Sequence, residues 1–276
     1  MQGYQFRGTV FKTAEREAPA YYHPYGRLIE PQKEELYYLA ELVKSTPESF
    51  IQSTMKFKRF IDIAISVVAL ILLSPILLIA AIAIKLESSG PVFFTQERIG
   101  INRRRRPDRR KYSISVPENR RSGKDRRRTI KPGKPFKIYK LRTMYVDAEK
   151  NGPALSFDGD PRITKVGRLL RLTRIDEIPQ FINVIKGDMS IIGPRPERAF
   201  YISRVSREIP AFPLRLYVKP GITGLAQVEN GYTNTVDQMK EKLFYDLKYI
   251  ANLSVWQEIK IALKTFYVIL TGKGAC

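Results

Sequence analysis

The sequence predicts an α+β fold that is predominantly helical, in which a re-entrant membrane helix-break-helix is joined to a membrane-associated cytoplasmic domain. Three observations support this class. A run of 22 residues at 63–84 carries no charge, which is long enough for a membrane segment. Helical and strand-like apolar spacings follow in the second half of the chain. Finally, 43% of the 276 residues are apolar, which is ample for a packed core.

The chain divides into three parts on this basis. Residues 1–55 are an N-terminal extension with a short helix, residues 56–90 are the membrane hairpin, and residues 91–276 are the cytoplasmic domain. The short helix follows Pro31, where leucines recur at helical spacing. It has the pattern of a packing helix or a membrane-surface helix.

Residue usage restricts the chemistry that the chain can perform. It has one cysteine, Cys276, and one histidine, His23. A single cysteine excludes an intramolecular disulfide and a cysteine-based zinc site, and it suits a reducing cytoplasmic setting. A single histidine leaves almost no candidates for serine-type triads or histidine metal clusters. Catalysis would therefore rest on carboxylates, lysines, arginines, tyrosines or hydroxyls.

The apolar run at 63–84 is the leading membrane segment. As a helix it would extend about 33 Å, enough to cross a hydrocarbon core of about 30 Å. Basic residues flank it on both sides, so both ends are predicted to be cytoplasmic. Pro75 removes a backbone donor in the middle of the run, and the Ser74 hydroxyl can satisfy a freed carbonyl. We therefore predict a re-entrant hairpin that enters from the cytoplasm, breaks at Ser74 and Pro75 and returns to the same face. A kinked crossing helix and a buried helix of a soluble protein are the alternatives.

The insert at 103–132 concentrates the positive charge. The whole chain has 48 Lys and Arg against 27 Asp and Glu, a net charge of +21. The insert alone has 14 basic and 3 acidic residues, a net charge of +11. It contains few large apolar residues and several turn formers, which indicates an exposed segment.

The segment after the insert contains the clearest chemical candidates. PFKIYKLRTM is predicted to be a strand, and arginines then recur every three residues before Asp176 and Glu177. Because proline is tolerated in the first turn of a helix, Pro179 places Asp176 near the start of the next helix. Helix N-termini favour an ionised carboxylate, which can act as a nucleophile or a metal ligand. An acidic pair near arginines is also common on ordinary surfaces.

Two glycine- and proline-rich stretches follow. Gly187 is a helix-ending signal. Pro194 and Pro196 hold Arg195 in a rigid extended turn. This turn either presents the guanidinium to an anion or only shapes a loop. The segment KPGITGLAQVEN contains Gly221. Its glycines predict a turn that closely approaches another backbone segment. No Walker or dinucleotide fingerprint occurs in the chain.

Together these motifs resemble the bacterial sugar transferases, the monotopic phosphoglycosyl transferases. The resemblance covers Lys56 to Ala275 apart from the insert, and several long motifs occur in the family's order. They are KRFIDIAISVVALILLSPILLIAAIAIKLESSGPVFFTQERIG, GKPFKIYKLRTM, DPRITKVGRLLR, DEIPQFINVIKGDMSIIGPRPE, VKPGITGLAQV and the C-terminal YDLKYI and TFYVILTGKGA.

The resemblance implies a membrane-associated cytoplasmic catalytic domain that transfers a sugar 1-phosphate from a UDP-sugar to polyprenyl (undecaprenyl) phosphate and releases UMP. This would be the first membrane step of exopolysaccharide, O-antigen or other glycoconjugate synthesis. It implies Asp176 as the nucleophile that forms a covalent phosphosugar intermediate, Glu177 as its partner, and both as ligands of Mg²⁺. It also implies a phosphate and nucleotide site formed by Arg142, Arg171, Pro194, Arg195 and Pro196.

The insert departs from the family pattern, because it separates Gly100 from the Gly133 motif. Within it, paired arginines around a turn suit two phosphates of a small anion. We hypothesise a regulatory cyclic dinucleotide site; a lipid-facing or inert loop and nucleic-acid binding are the alternatives. A membrane-anchored nucleic-acid-binding protein is disfavoured, since no recognised nucleic-acid module occurs outside the insert. A non-catalytic scaffold is disfavoured by the intact acidic pair, and a homodimer is plausible. The proposed anion site comprises Arg120, Arg121, Asp125, Arg126 and Arg127.

Overall fold

The computed structural model describes residues 33–102, 133–150, 156–157, 159–229 and 236–271. Helices predominate in this part of the chain, which confirms the predicted helical α+β class. The helices are α1 (Lys33–Ser45), α2 (Glu48–Glu87), α3 (Lys165–Leu172), α4 (Gln180–Lys186), α5 (Ala199–Glu208), α6 (Leu225–Glu229), α7 (Val236–Ala251) and α8 (Val255–Thr271). The strands are β1 (Phe93–Ile99), β2 (Pro135–Leu141), β3 (Ser190–Ile192) and β4 (Gly221–Thr223), and 3₁₀ turns form at Ile175–Glu177 and Phe212–Tyr217.

Helix α1 coincides with the short helix predicted in residues 1–55. Glutamates occupy its first turn and Lys44 its last, an arrangement that complements the helix dipole. Leu39 and Val43 are buried in the largest hydrophobic core, whereas Leu42 is exposed. The helix packs against α7, so it belongs to the body of the protein.

Helix α2 contains the predicted membrane segment. It begins at Glu48, before the predicted start at Lys56, and continues through Ser74 and Pro75 without the predicted interruption. The Ser74 hydroxyl donates to the Ile71 carbonyl at 2.8 Å. Among the described residues, α2 is the one helix long and apolar enough to cross a membrane, and only 11% of its most apolar stretch is buried.

Both ends of α2 contact the same folded body. Near its beginning, Arg59 donates to the Ile185 carbonyl of α4 at 2.7 Å, and Asp62 accepts a hydrogen bond from Ser190 at 2.7 Å. Near its end, the Glu87 carboxylate accepts the Lys165 amide of α3 at 2.7 Å. This carboxylate caps the first turn of α3, a position where helices favour negative charge.

The strands form two small sheets. Strands β1 and β2 are antiparallel, with Phe93 opposite Leu141. Beyond the strands, the Gly100 amide donates to the Lys134 carbonyl at 2.8 Å, which keeps the two arms of the hairpin together on either side of 103–132. The predicted cyclic dinucleotide site lies in that segment, outside the described residues. Strands β3 and β4 are parallel.

Strand β2 lies between separate hydrophobic clusters. Phe136 and Ile138 pack with Val184 of α4 and Met189, whereas Leu141 packs with Ile84 of α2 and with α3. Burial on both sides fixes the position of β2 between the membrane helix and α4.

Candidate active site

Asp176 and Glu177 lie in the 3₁₀ turn Ile175–Glu177, and 5% and 8% of their surfaces are exposed. Asp176 lies near the start of α4, as expected, but in this separate turn and not within the helix itself. Pro179 is the N-cap residue of α4, which begins only at Gln180. Because proline has no amide proton, it suits the position before the first turn as well as the first turn itself.

The two carboxylates face a cavity of about 510 Å³. Its lining is strongly basic, which suits an anionic ligand. The basic lining residues are Arg98, Lys140, Arg142, Arg162, Arg171, Arg174, Arg195, Arg198 and Lys242, and the acidic ones are Glu149, Asp176, Glu177 and Glu197.

Glu177 is held between two cationic side chains. Lys140 Nζ lies 2.6 Å and Arg195 Nη2 lies 2.7 Å from Glu177 Oε1. Burial alone raises the pKa of Glu177, but Arg195 and Lys140 outweigh burial and lower this pKa well below its usual range. Glu177 is therefore ionised at neutral pH.

Asp176 has the opposite shift. Burial is the largest cause that raises the pKa of Asp176, and the charge of Glu177 adds to it, while Lys140 opposes it. Lys140 Nζ lies 3.5 Å from Asp176 Oδ2. This direction contradicts the expectation that a helix N-terminus would stabilise ionised Asp176. Two adjacent carboxyl groups whose pKa values move apart are suited to different roles in one reaction.

The predicted phosphate-binding residues have different surroundings. Arg195 clamps Glu177, and Arg171 lines the cavity while its Nε donates to Thr143 at 2.9 Å. Arg142 also touches the cavity, but its guanidinium donates to the carbonyls at the end of α2, including that of Ser88 at 2.8 Å. These contacts indicate that Arg142 caps α2.

The prolines on either side of Arg195 are not part of the cavity wall. Pro194 and Pro196 line a separate void of about 10 Å³ behind the loop. The Pro194 carbonyl accepts the Gly221 amide at 3.0 Å. A side chain at Gly221 would overlap the backbone at Gly193, which explains the glycine at the predicted close approach.

Lys140 is the main site residue that the sequence analysis did not select. The signal was the period-two spacing of Phe136, Ile138 and Lys140, which puts all three on one face of β2. Since the first two are buried, Lys140 extends the buried face to the acidic pair. The sequence analysis treated this lysine only as part of the predicted strand PFKIYKLRTM.

Magnesium is compatible with the residues present. In the described part of the chain, no cluster of three or more His, Cys, Asp or Glu residues could hold a metal ion. Mg²⁺, however, is usually bound by one or two carboxylates together with substrate phosphates and water. Asp176 and Glu177 provide such a pair in a cavity suited to phosphates.

Comparison with known proteins identifies the family. The model of the family "Bacterial sugar transferase" matches residues 53–107 and 118–272. The chain is 42% identical over 218 residues to the UDP-N-acetylgalactosamine-undecaprenyl-phosphate N-acetylgalactosaminephosphotransferase of Aeromonas hydrophila, which covers 79% of this chain and 44% of that protein.

Two UDP-glucose:undecaprenyl-phosphate glucose-1-phosphate transferases are also similar. The one from Caulobacter vibrioides is 38% identical over 220 residues, covering 79% of this chain and 71% of the relative. The one from Escherichia coli is 38% identical over 232 residues, covering 83% and 43%. This chain thus spans less than half of the Aeromonas and Escherichia proteins but most of the Caulobacter protein. Because the family model matches most of the chain and the relatives are 38–42% identical, the chain belongs to the bacterial sugar transferase family.

Proposed function

We propose that this protein transfers a sugar 1-phosphate from a UDP-sugar to undecaprenyl phosphate and releases UMP. The reaction would take place on the cytoplasmic face of the inner membrane, as the first membrane step of exopolysaccharide, O-antigen or related glycoconjugate synthesis. The observation that carries the proposal is the buried acidic pair Asp176 and Glu177, held by Lys140 and Arg195 at the wall of a basic cavity. The names of the similar proteins specify both substrates.

In the first step, an ionised Asp176 oxygen attacks the sugar-linked phosphorus of the UDP-sugar. The bond from this phosphorus to the bridging oxygen breaks, and UMP leaves with the electron pair. The product is an acyl phosphate between Asp176 and the sugar phosphate. A buried carboxylate with a raised pKa is a stronger base once ionised, which suits Asp176 to this attack.

In the second step, a phosphate oxygen of undecaprenyl phosphate attacks the same phosphorus. The bond to Asp176 breaks, the carboxylate is restored, and the sugar remains linked to the lipid through a diphosphate. Lys140, Arg171 and Arg195 supply positive charge around the reacting phosphates. Such a two-step route has ping-pong kinetics.

Glu177 would serve as the fixed counter-charge of the site. It holds Lys140 and Arg195 by short contacts of 2.6 and 2.7 Å, so both cations stay ordered before substrate arrives. Asp176 and Glu177 would also hold Mg²⁺ when it is present. The ion would stabilise negative charge on the diphosphate.

We also propose that α2 enters and leaves the membrane on one side. The partners of Arg59 near its beginning and of Glu87 near its end belong to the same body. A straight crossing would put these partners on opposite membrane faces, and polar backbone contacts would then have to form across the bilayer. The contacts of both helix ends with one body therefore support a re-entrant path, even though α2 is continuous through Pro75.

The activity is tested by UMP release from protein in nanodiscs with undecaprenyl phosphate, Mg²⁺ and a panel of UDP-sugars. We expect turnover with one or a few sugars, and its loss in Asp176→Asn. With the UDP-sugar alone, wild type should release about one UMP per enzyme, because the covalent intermediate then has no acceptor. Asp188→Asn is the matched control, since Asp188 lies outside the cavity lining.

Two results would contradict the proposal. Folded wild type that releases UMP with none of the sugars would contradict the activity. Release by Asp176→Asn at the wild-type rate would contradict the role of Asp176.

The topology is tested by cysteine labelling in a Cys276→Ser background. Ser53→Cys and Ser89→Cys place one thiol near each end of α2, and both serines are exposed. An impermeant reagent should leave both thiols unlabelled in intact spheroplasts and label both after lysis. Labelling of only one thiol in intact spheroplasts would indicate a crossing helix instead.

A further inference from the structure

The loop that carries Arg195 is fixed along its whole backbone. Four successive carbonyls, at positions 194–197, each accept a hydrogen bond, and the donors belong to three elements: β4, the 3₁₀ turn Phe212–Tyr217 and β1. The Pro194 carbonyl accepts from the Gly221 amide (3.0 Å), that of Arg195 from the Arg215 guanidinium (2.9 Å), that of Pro196 from the Arg98 guanidinium (3.3 Å) and that of Glu197 from the Ile99 amide (2.9 Å).

Arg215 is the most deeply buried donor side chain in this set. Only 2% of its surface is exposed, and it lies behind the loop, outside the wall of the large cavity. Its Nη2 lies 2.8 Å from Asp246 and its Nη1 lies 3.6 Å from Glu197. A buried arginine is costly unless it is paired, so these carboxylates hold the guanidinium where it is.

The surrounding charges complete a compact network. Lys242 Nζ lies 2.5 Å from Glu197, and Arg98 lies 3.7 Å from the other oxygen of the same carboxylate. The network therefore joins α7, the 3₁₀ turn Phe212–Tyr217 and strand β1 to the Arg195 loop. Its one direct contact with the Arg195 backbone carbonyl is the hydrogen bond from Arg215.

We infer that Arg215 is a positioning residue that acts on the reaction through Arg195. By binding the Arg195 carbonyl, it fixes the starting point of the side chain that clamps Glu177. Without this bond, the Arg195 guanidinium loses its fixed distance of 2.7 Å to Glu177, although the residues that touch substrate are unchanged. The inference rests on the proposed transferase function.

A double-mutant cycle tests whether Arg215 acts through Arg195. The variants are Arg215→Met, Arg195→Ala and the double variant, and the readout is single-turnover UMP release followed for hours so that slow variants give a rate. We expect Arg215→Met to lower kcat/KM by about 100-fold in the wild-type background, the order of loss that misplacement of a catalytic group causes. In the Arg195→Ala background, its further effect should be smaller than about 3-fold.

Arg59→Met is the matched control. Arg59 also donates its guanidinium to backbone carbonyls, those of Val184 and Ile185, and it lies outside the cavity lining. Arg59→Met should change kcat/KM by the same factor in wild type and in Arg195→Ala, because the free-energy effects of independent sites are additive. Arg215→Met should also change kcat and KM in the same proportion as Arg195→Ala does, and Arg215→Lys should recover part of the loss.

Asp246→Asn gives the same test if Arg215→Met does not fold. It removes the charge behind Arg215 with almost no change in side-chain volume. We expect it to lower kcat/KM less than Arg215→Met does, and to have no further effect in the Arg195→Ala background. Equal effects of the Arg215 or Asp246 variant in both backgrounds would overturn the inference. Wild type that is inactive with every UDP-sugar would instead count against the proposed function.

Discussion

Asp176 and Glu177 are neighbours in the chain, yet their carboxyl groups have opposite pKa shifts. The difference comes from distance: Lys140 Nζ lies 2.6 Å from Glu177 but 3.5 Å from Asp176, and Arg195 forms hydrogen bonds only with Glu177 of the two. One carboxyl group is therefore a fixed anion and the other is held in a poorly solvated position. This difference in pKa suits Asp176 to the role of nucleophile and Glu177 to that of a fixed counter-charge.

Lys140→Met should lower UMP release by about 100-fold or more, because it removes a positioned cation next to both carboxyl groups. Lys140→Arg should retain part of the activity. Lys137→Met is the matched control: this exposed lysine lies on the same strand, and its side chain is outside the cavity. Equal rates for the Lys137 and Lys140 variants would show that Lys140 has no role in the site.

Glu197 predicts an acid-dependent loss of stability. Burial opposes ionisation of Glu197, but Lys242, Arg215 and Arg98 outweigh it and lower its pKa from 4.5 to about 2. A lowered folded-state pKa stabilises the protein above the unfolded value, and this contribution is lost as the pH falls from about 4.5 towards 2. The difference corresponds to about 3 kcal/mol.

The measurement is the melting temperature of wild type and Glu197→Gln in nanodiscs between pH 6 and pH 3. The advantage of wild type should shrink as the pH falls. The raised pKa of Asp246 acts in the opposite direction, but it is present in both proteins and cancels to first order in the difference. An advantage that is constant across this range would contradict the assignment.

At the scale of elements, Arg142 joins β2 to the end of α2. It is 6% exposed and donates to the carbonyls of Ile84, Ser88 and Ser89. The last carbonyls of a helix have no partner within it, so this guanidinium replaces the missing donors. The family resemblance implied a phosphate contact, and the two roles predict different results on mutation.

Arg142→Met should lower the free energy of unfolding by about 2 kcal/mol, since hydrogen bonds from a charged donor are lost. The remaining folded protein should keep a KM for the UDP-sugar close to that of wild type. Thermal melting and steady-state kinetics on the same preparation separate the two roles. A KM that rises about tenfold without loss of stability would instead support a phosphate contact.

The insert between β1 and β2 is expected to be dispensable for folding. The Gly100 amide and the Lys134 carbonyl pair across its base, and the Lys134 amide returns to Ile101 at 3.2 Å. Replacing 103–132 by a short Asn-Gly loop should therefore keep the melting temperature and the basal UMP release, because such turns close antiparallel hairpins well. Loss of folding would show that the insert is part of the core structure.

The regulatory proposal for the insert has its own test. Labelled cyclic di-GMP should bind wild type, while the loop-replaced protein and the Arg120→Ala, Arg121→Ala double variant should not bind it. Absence of binding to wild type would end the proposal.

At the scale of the whole molecule, large apolar surfaces remain exposed on α8 as well as on α2. The exposed side chains of α8 include Trp256 (64% exposed), Leu263 and Leu270. Ile261, on the same helix, packs into the core. A helix with one face in the core and an exposed apolar face suits the membrane interface. The net charge of +21 adds attraction to anionic lipids.

Trp256 is the single tryptophan of the chain, so its fluorescence reports on α8 alone. In vesicles that contain anionic lipid, brominated acyl chains should quench this fluorescence strongly, whereas aqueous iodide should quench it weakly. Unbrominated vesicles of the same composition are the control. Strong quenching by iodide with none from the brominated lipid would place α8 in water.

Much of this protein can be predicted from its sequence because the signals are local. The apolar run of α2, the helix-ending Gly187 and the acidic pair at 176–177 are each contained within a few residues. Periodicity, chain stiffness and residue chemistry act over this short range. They determined the helical class, the membrane segment and the family resemblance without any knowledge of tertiary contacts.

The tertiary structure alone decided which charges meet. Lys140 and Glu177 are 37 residues apart, and Arg215 reaches the Arg195 carbonyl across 20 residues. Burial, which no short pattern reveals, reversed the expected pKa direction of Asp176. Packing of β2 against α2 also brought the Arg142 guanidinium to the carbonyls at the end of that helix. Electrostatic effects depend on distance in space and on exclusion of water, and both are set only when the elements pack.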